Sequence, residues 1–222
     1  MRPQEFTTPA ASVPVVVAAG REIEIAQDLN LPGFIMGFAP NEEIFGEEEP
    51  TDFVYKVISG AVRTTRFLSD GRRQIDGFHL SGDVFGLERG EAHRFSAEAI
   101  GECEVALVRR KAVERAAESD VAVARRLWSL AADNLEQLQD HMLLLSRKNA
   151  AERVGAFLLE LSARANCRMV DLPMSRGDIA DYLGLTLETV SRTFSQFARE
   201  GLIELPTPRR VVIRNVAALT VN

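Results

Sequence analysis

Two different spacings of apolar residues divide the chain. Between residues 21 and 110, short apolar runs alternate with glycines and turn-forming residues, as in EIFG, FVYKVISG, AVRTTRFL, RQIDGFHL and EVALVRR. Asp70-Gly71 lies between two of these runs, which is a strong signal for a β-hairpin. Many short strands at regular spacing predict a sandwich or barrel over this part. Residues 1–20 show no sustained period and predict a flexible N-terminal arm.

The spacing becomes helical after Arg110. Residues 112–164 contain no proline. Apolar residues from Trp128 to Leu145 recur in steps of three and four, as in a coiled-coil seam. We predict a long helix over residues 111–146 whose seam pairs with a second copy of the chain. The alternative is a seam that packs back on the chain's own strands. The predicted dimer-interface residues are Trp128, Ala131, Leu135, Leu138, Met142 and Leu145.

Residues 147–222 have the pattern of two short helices followed by a hairpin. Gly184 stands where the chain must turn sharply between the helices, and Thr186 is suited to cap the second one. The buried stripe of the second helix is predicted to be Val190, Phe194 and Phe197. The opposite, exposed face then carries Leu187, Glu188, Ser191, Arg192 and Ser195. This pattern predicts a helix-turn-helix with a basic hairpin, or wing, behind it.

The exposed face of this second helix carries groups that can read bases in the major groove of DNA. Arg192 can donate two hydrogen bonds to guanine, Glu188 can accept one from cytosine, and Leu187 can pack on a thymine methyl. Ser191 can reach a base or a phosphate. The alternative is a plain surface ion pair between Glu188 and Arg192. The predicted contacts to the DNA backbone are Ser175, Arg176, Thr186, Thr189, Ser195, Arg209 and Arg210.

Charge and cysteine content limit the classes of function. The net charge of −6 argues against non-specific coating of nucleic acid, but residues 150–222 carry nine Arg and eight Asp or Glu and so tolerate phosphate. Cys103 and Cys167 are too few for a disulfide framework or a four-thiolate metal site, which fits a reducing cytoplasm. We expect Cys103 to be buried. Cys167, beside Arg164 and Arg168, is the candidate redox residue.

Motifs of enzymes and membrane proteins are missing from the sequence. Gly82 and Gly86 are not followed by the Lys-Ser/Thr of a phosphate-binding loop, and no Ser or Cys has a motif-level His/Asp partner. The apolar run VPVVVAAG near the N-terminus is too short to span a bilayer. We therefore expect neither an enzyme nor a membrane partner.

From about Glu22 onward the chain resembles the CRP/FNR family of bacterial transcription regulators. The resemblance rests on EIFGEEEPTDFVYKVISGAVR, LSGDVFGLE and MSRGDIADYLGLTLETVSRTFSQFAREGLIEL. LPMSRGDIADYLGLT followed by LETVSR is most similar to the FixK branch, which activates genes for microoxic respiration and nitrogen fixation. The resemblance implies an α+β fold: an N-terminal double-stranded β-roll like the jelly roll of cyclic-nucleotide-binding domains, a long dimerisation helix, and a C-terminal winged helix-turn-helix.

The resemblance also implies which bases are read. Glu188 and Arg192 match the Glu and Arg that read the G·C pair of a TGA core, and Ser191 matches a Ser of FNR-like readers. Leu187 stands where a CRP-type reader has Arg, which disfavours a CRP-type site. The implied site is TTGAT-N4-ATCAA, with one half for each subunit of a homodimer. RNA polymerase is the implied protein partner, touched by β-roll loops around residues 63–73.

The resemblance further identifies what the β-roll lacks for known effectors. Leu87 follows Gly86 where a Glu would bind ribose, and Phe95 precedes Ser96 where an Arg would neutralise a cyclic phosphate. The first 100 residues contain no cysteine, unlike FNR-type iron–sulfur sensors. We expect DNA binding without cAMP, a cluster or any other cofactor. The alternative is gating by an unidentified small effector or by haem, for which His93 is a candidate ligand; a solvent-facing loop histidine is its expected state.

Overall fold

The computed structural model describes residues 15–26, 29–147 and 149–221. Its first half consists of antiparallel strands in two sheets, with the orders β1-β2-β9-β4-β7 and β3-β8-β5-β6. The strands are β1 (Val15–Ala26), β2 (Leu29–Phe38), β3 (Glu43–Phe45), β4 (Phe53–Ser59), β5 (Ala61–Phe67), β6 (Arg73–Leu80), β7 (Val84–Phe85), β8 (Ser96–Ala99) and β9 (Cys103–Arg109). The predicted β-roll is therefore confirmed.

The apolar positions of both sheets face one another. Val57 and Val105 of the first sheet and Val62 and Ala97 of the second are fully buried in one cluster. The predicted hairpin at Asp70-Gly71 joins β5 to β6, with Gly71 at a φ of +81°. Such a positive φ suits glycine because it has no Cβ.

Part of the predicted N-terminal arm is a strand. β1 begins at Val15 and pairs with β2 from Val15 opposite Gly37 onward. Residues 15–20 were expected in the arm because their period is irregular, and two register shifts in this part of the pairing account for that irregularity. The remainder of the predicted arm, residues 1–14, lies outside the described residues.

The long helix predicted over 111–146 is two helices, α1 (Arg110–Ser119) and α2 (Val121–Arg147). They separate at Asp120, whose backbone is extended and whose Oδ1 accepts a hydrogen bond from the N–H of Ala122 at 2.7 Å. An Asp in this position caps the helix that follows it. α1 packs on the β-roll through its buried residue Val113, whereas the apolar stripe lies on α2.

The C-terminal unit continues with α3 (Ala150–Ala165), β10 (Met169–Asp171), α4 (Arg176–Leu183), α5 (Leu187–Arg199), β11 (Ile203–Thr207), β12 (Arg210–Ile213) and α6 (Val216–Val221). Its strands form a sheet in the order β10-β12-β11. The core lies between this sheet and the helices and includes Leu158, Ile179, Phe194 and Phe197. The predicted helix-turn-helix and its following hairpin are both present.

The same core extends into the β-roll. Ile75 and Phe78 of β6 belong to the C-terminal cluster, and the Phe78 ring lies 5.1 Å from the ring of Tyr182 in α4. The first helix of the helix-turn-helix is therefore packed on a β-roll strand.

Candidate nucleic-acid interface

The turn between α4 and α5 is built by residues suited to it. Gly184 ends α4 with a φ of +62°, and the N–H of Leu185 donates to the carbonyl of Ala180 at 2.9 Å. Thr186 then caps α5, since its hydroxyl accepts from the N–H of Thr189 at 3.1 Å. Both residues have the roles predicted from their types.

α5 has two distinct faces. Val190, Thr193, Phe194 and Phe197 are buried against the rest of the unit. The other face is exposed and carries the predicted reading residues Leu187, Glu188, Ser191, Arg192 and Ser195. The 3.6-residue period of the sequence thus places the predicted base-reading side chains together on one accessible surface.

Glu188 and Arg192 form an ion pair on this face. Oε1 of Glu188 lies 2.5 Å from Nη2 of Arg192, and the two side chains are 70% and 79% exposed. A pair of this kind stabilises a helix by about 0.3–0.5 kcal/mol. A two-bond contact from Arg to guanine contributes about 1–3 kcal/mol of discrimination. The ion pair is therefore weaker than the contact with guanine. It orients the guanidinium but does not prevent it from binding a base.

Two of the predicted backbone contacts lie on the wing and are exposed. Arg210 donates from Nε and Nη2 to the carboxylate of Asp171 at 2.6 and 3.1 Å, and these bonds lower the pKa of Asp171. Nη1 of Arg209 donates to the carbonyl of Pro173 at 3.0 Å. Because Arg209 and Arg210 lie at the surface, a phosphate can compete with these partners.

Arg176, also predicted to contact the backbone, is placed differently. Its guanidinium carbon lies 3.2 Å from the centre of the Phe194 ring, and Nη2 donates to the carbonyl of Pro208 at 3.2 Å. Burial lowers the pKa of this guanidinium to about 10. Arg176 therefore supports the wing from inside, because the apolar ring beside it holds the side chain inward.

Ser175 and Thr189, which were predicted to contact the DNA backbone, lie at the N-termini of the two helices. The Ser175 hydroxyl accepts from the N–H of Asp178 at 3.0 Å, and the Thr189 hydroxyl lies 2.9 Å from that of Thr186. Ser195, on the reading face, donates to the carbonyl of Ser191 at 2.9 Å. Helix N-termini favour anions, which suits contacts to phosphate.

The predicted seam on α2 is an exposed apolar stripe. Trp128 is 77% and Met142 63% exposed, and Ala131, Leu135 and Leu138 are exposed between them. The stripe does not pack back on the strands. Leu145 differs, because it is half-buried against the C-terminal core, beside Gly184.

In the stretch of the β-roll that would bind a cyclic phosphate, several residues make contacts within the chain. The Ser96 hydroxyl accepts from the N–H of Glu47 at 2.9 Å, and Leu87 packs on the apolar core. Gly86 approaches Tyr55 so closely that a Cβ would lie 2.6 Å from its ring. Leu87 and Phe95 stand where a cyclic-nucleotide-binding domain has Glu and Arg. Neither side chain carries a charge that could bind the nucleotide.

His93 is not the solvent-facing residue expected from the sequence. Its side chain is fully buried, its ring is stacked 3.6 Å from that of Phe45, and Nδ1 lies 3.4 Å from Oε1 of Glu88. The expectation was wrong because the loop folds inward over aromatic residues. In the part of the chain that the structure describes, Nε2 of His93 has no hydrogen-bond partner.

The two thiols differ in environment. Cys103 is buried as expected, and burial raises its pKa to about 11. Cys167 is exposed, and its Sγ accepts from the N–H of Met169 at 3.4 Å. Arg164, expected beside the Cys167 thiol, instead pairs with Asp83 of the β-roll. Within the described residues no group of three or more His, Cys, Asp or Glu side chains could hold a metal ion.

Residues 63–73 of the β-roll, expected to offer loops to RNA polymerase, face the C-terminal unit at both ends. Arg63 is buried, and Arg73 pairs with Asp178 and Asp181 of α4. Residues 66–72, between these two arginines, are exposed and can meet a partner, with Arg72 and Asp70 paired at the hairpin tip. Residue type alone gave no sign of these contacts between units.

One residue connects the end of α2 to the turn of the helix-turn-helix. Arg153 of α3 donates from Nη1 to the carbonyl of Leu183 at 2.9 Å and from Nη2 to that of Leu145 at 2.7 Å. Both carbonyls belong to the last turn of a helix, where the helix itself supplies no donor.

A β-roll joined to a winged helix-turn-helix with an exposed second helix is the architecture of a DNA-binding transcription regulator. Two family models match the chain: a cyclic nucleotide-binding domain over residues 36–120 and a Crp-like helix-turn-helix domain over residues 152–221. The chain belongs to the CRP/FNR family of transcription regulators, and within it to the FixK type.

Relatives and a solved structure support this assignment over most of the chain. The nitrogen fixation regulation protein FixK of Azorhizobium caulinodans is 47% identical over 91% of this chain and 84% of its own. The FixK of Rhizobium meliloti is 42% identical over 85% of this chain and 86% of its own. The structure of FixK2 from Bradyrhizobium japonicum superposes with a TM-score of 0.82 at 54% identity, covering 85% of this chain and 96% of that one.

Among the described residues, no helix is both long and apolar enough to cross a membrane.

Proposed function

We propose that the protein is a homodimeric transcription activator that binds palindromes of the form TTGAT-N4-ATCAA without cAMP or an iron–sulfur cluster. The observation that carries this proposal is the exposed face of α5, on which Leu187, Glu188, Ser191 and Arg192 stand together. Its targets are genes of nitrogen fixation, in line with the names of its relatives, and genes of microoxic respiration, as the resemblance to the FixK branch implies.

The ion pair of Glu188 and Arg192 reads the bases, together with Leu187. Arg192 donates to guanine O6 and N7, while Glu188 accepts from the N4 amino group of the paired cytosine. Glu188 also keeps the guanidinium extended before DNA arrives, since the two groups are 2.5 Å apart. Leu187 at the start of α5 offers an apolar surface to a thymine methyl.

Contacts to the DNA backbone fix the position of this reading face. Ser175, Thr186 and Thr189 lie at the starts of α4 and α5, and Arg209 and Arg210 reach out from the wing. Neutralising phosphates with the two wing arginines supplies a salt-dependent part of the affinity.

Dimerisation uses the exposed stripe on α2. Exposing an apolar stripe that includes a Trp to water is unfavourable. In a two-fold dimer the same stripe of a second copy packs against it and buries both. A two-fold dimer places two reading helices on a two-fold site, which is why a palindrome is expected. RNA polymerase is the protein partner of the bound activator.

Independence from cAMP is supported by two residues of the β-roll stretch that would bind the nucleotide. Ser96 already bonds the backbone of Glu47, and Leu87 stands in the place of an acidic ribose ligand. A second candidate is gating by a small effector or haem, and one observation favours it: the buried Nε2 of His93 is without a hydrogen-bond partner among the described groups. Reduced protein that develops a Soret band on titration with haem would support this second candidate.

Selection of bound sequences from random DNA with metabolite-free protein tests the main proposal. The expected result is enrichment of TTGAT and ATCAA at one fixed spacing, from protein that carries no bound small molecule by mass spectrometry. Enrichment of single, unpaired half-sites would contradict the dimer. Selection that succeeds only after a cell extract is added would contradict effector independence.

A further inference from the structure

A cluster of charged residues, the interdomain clamp, joins the β-roll to α4. Arg63 of β5 and Arg73 of β6 both donate to Oδ1 of Asp178, at 3.3 and 2.6 Å. Arg73 also donates from Nε to Asp181 at 2.8 Å. The side chains of Arg63 and Asp178 are only 9% and 5% exposed. These are the four residues that define the clamp.

Asp178 uses its two oxygens for two separate purposes. Oδ2 accepts from the N–H and the hydroxyl of Ser175 at 2.9 and 2.7 Å, which completes the capping box of α4. Oδ1 receives the two guanidinium groups of the β-roll. Burial opposes its ionisation, but the bonds from Ser175 and the charges of Arg63 and Arg73 hold the pKa of Asp178 below its ordinary value. The start of α4 is therefore tied directly to two β-roll strands.

The β-roll side of the clamp is itself held in place. Nε and Nη2 of Arg63 donate to Oε2 of Glu98 at 2.9 and 2.6 Å, and Nη2 also donates to Asn41 at 3.0 Å. Apolar contacts lie beside the charges, with Phe78 packed on Tyr182. Arg63 thus presents Nη1 to Asp178 from a fixed position rather than from a flexible side chain.

The clamp does not cover the reading face. Its contacts are made by α4, whereas Glu188 and Arg192 of α5 remain exposed to solvent. α4 and α5 are packed together through the buried residues Ile179, Val190 and Phe194. Fixing α4 on the β-roll consequently fixes the direction in which α5 faces.

We propose that Arg63 and Arg73 are positioning residues that set the separation of the two reading helices and so take the role that an effector has in a gated regulator. This inference rests on the proposed function, since separation has a meaning only for a dimer on a palindrome. Swinging α4 away from the β-roll breaks both ion pairs to Asp178 and the contact of Phe78 with Tyr182. One orientation of the helix-turn-helix is thereby selected in the protein alone.

Spacing selectivity is the property that such a clamp controls. One base pair added between half-sites moves them apart by about 3.4 Å and rotates them by about 35°. A reader held rigidly by its β-roll rejects this change, and a loosely held reader tolerates it. A loss of general stability would lower affinity for both spacings without changing their ratio.

The test compares full-length variants on duplexes with the N4 and N5 spacings, measured by fluorescence anisotropy at one salt concentration. Arg73→Asp places a third carboxylate beside Asp178 and Asp181. Arg73→Asp combined with Asp181→Arg restores opposite charges in exchanged positions. Arg72→Gln is the matched control, because Arg72 is the neighbouring residue and pairs with Asp70 at the hairpin tip.

We expect Arg73→Asp to weaken binding to the N4 duplex about tenfold and to reduce the ratio of N4 to N5 affinity, and the double variant to recover both. Arg72→Gln should match the parent. Parent-like affinity and spacing ratio in folded Arg73→Asp would overturn the inference, as would a double variant that folds but recovers neither. If Arg73→Asp does not fold, Arg73→Gln replaces it, and the same two quantities are measured: the affinity for the N4 duplex and the ratio of N4 to N5 affinity.

Hydrogen–deuterium exchange separates this inference from the proposed function. If the parent binds neither duplex, the proposed palindrome is refuted. Whether the clamp holds α4 is then judged without DNA: faster exchange of residues 176–183 in Arg73→Asp, and recovery in the double variant, supports this. Unchanged exchange in α4 refutes it.

Discussion

Nη2 of Arg192 lies 2.5 Å from Oε1 of Glu188, one helical turn earlier on the exposed face of α5. Because both side chains are largely exposed, moving Arg192 onto a guanine leaves neither charge buried and uncompensated. Glu188 therefore orients the Arg192 guanidinium, and the guanidinium remains available to donate to a base.

Replacing Arg192 tests this reading role. Arg192→Ala should weaken binding to the palindrome by about 1–3 kcal/mol per half-site and relax the preference for guanine at one position. Titration of labelled duplexes that carry each of the four bases there, at matched salt, measures both effects. Arg199→Ala, in the last turn of the same helix, is the control. Unchanged affinity and base preference in Arg192→Ala would end the assignment of this residue.

The stripe on α2 can be tested independently of DNA. Leu135→Glu places a carboxylate in the centre of the seam, where its burial between two copies costs about 2 kcal/mol or more. The molar mass from light scattering should fall from that of a dimer to that of a monomer. Gln137→Glu adds the same charge at an exposed polar position of α2 and should leave the dimer intact. A Leu135→Glu protein that remains dimeric at micromolar concentration would place the interface elsewhere.

Arg210 and Arg176 should behave differently although both are arginines of the DNA-binding unit. Arg210→Gln should reduce the slope of log affinity against log salt by about 0.9 for each phosphate that the side chain neutralises in the parent complex. Arg176→Gln should leave that slope closer to the parent's and lower the free energy of unfolding by about 1 kcal/mol, because its guanidinium lies on Phe194. Binding isotherms at several salt concentrations and urea unfolding measure the two quantities. The reverse pattern would show that Arg176 turns outward on DNA.

The two thiols should react at very different rates. Burial raises the pKa of Cys103 to about 11, so about one molecule in a thousand holds it as thiolate at pH 8. Alkylation of Cys103 in the folded protein should therefore be slow at pH 8 and accelerate as the pH rises towards 11, while exposed Cys167 is modified first. Mass spectrometry after timed treatment with iodoacetamide reads both sites. Rapid modification of Cys103 at pH 8 would contradict its burial.

Cys167 is also the subject of a functional test. Cys167→Ser and the parent should be compared for palindrome binding before and after treatment with peroxide. Loss of binding by the oxidised parent alone would support a redox role for Cys167. Identical binding by the parent and by Cys167→Ser, both before and after peroxide, would contradict a redox role for Cys167.

Local signals account for what the sequence predicted well. Gly184 and Thr186 belong to residue types whose backbone and capping preferences act within one turn, and the apolar period of α5 separates its two faces without reference to distant residues. The hairpin at Asp70-Gly71 was predictable for the same reason. The break of the long helix at Asp120 also has a local signal, a capping residue, but no proline or glycine stands near it to mark the break.

Contacts between distant parts of the chain were not predictable from such signals. Arg63 and Asp178 are 115 positions apart, and neither residue type indicates which partner it will meet. The inward position of Arg176 depends on the ring of Phe194, and that of His93 depends on Phe45. Each of these side chains would be solvated if its own helix, strand or loop stood alone. Tertiary packing decides their positions.

The position of Asp178 bears on how regulators of this architecture can be recombined. A chimera cut at the junction of α2 and α3 separates two units that look independent along the chain. Yet the guanidinium groups that meet Asp178 come from β5 and β6, far on the other side of that cut. A transplanted reader will be aligned correctly only if its recipient offers cations at those two places, so the exchangeable module includes a patch of β-roll surface as well as the helix-turn-helix.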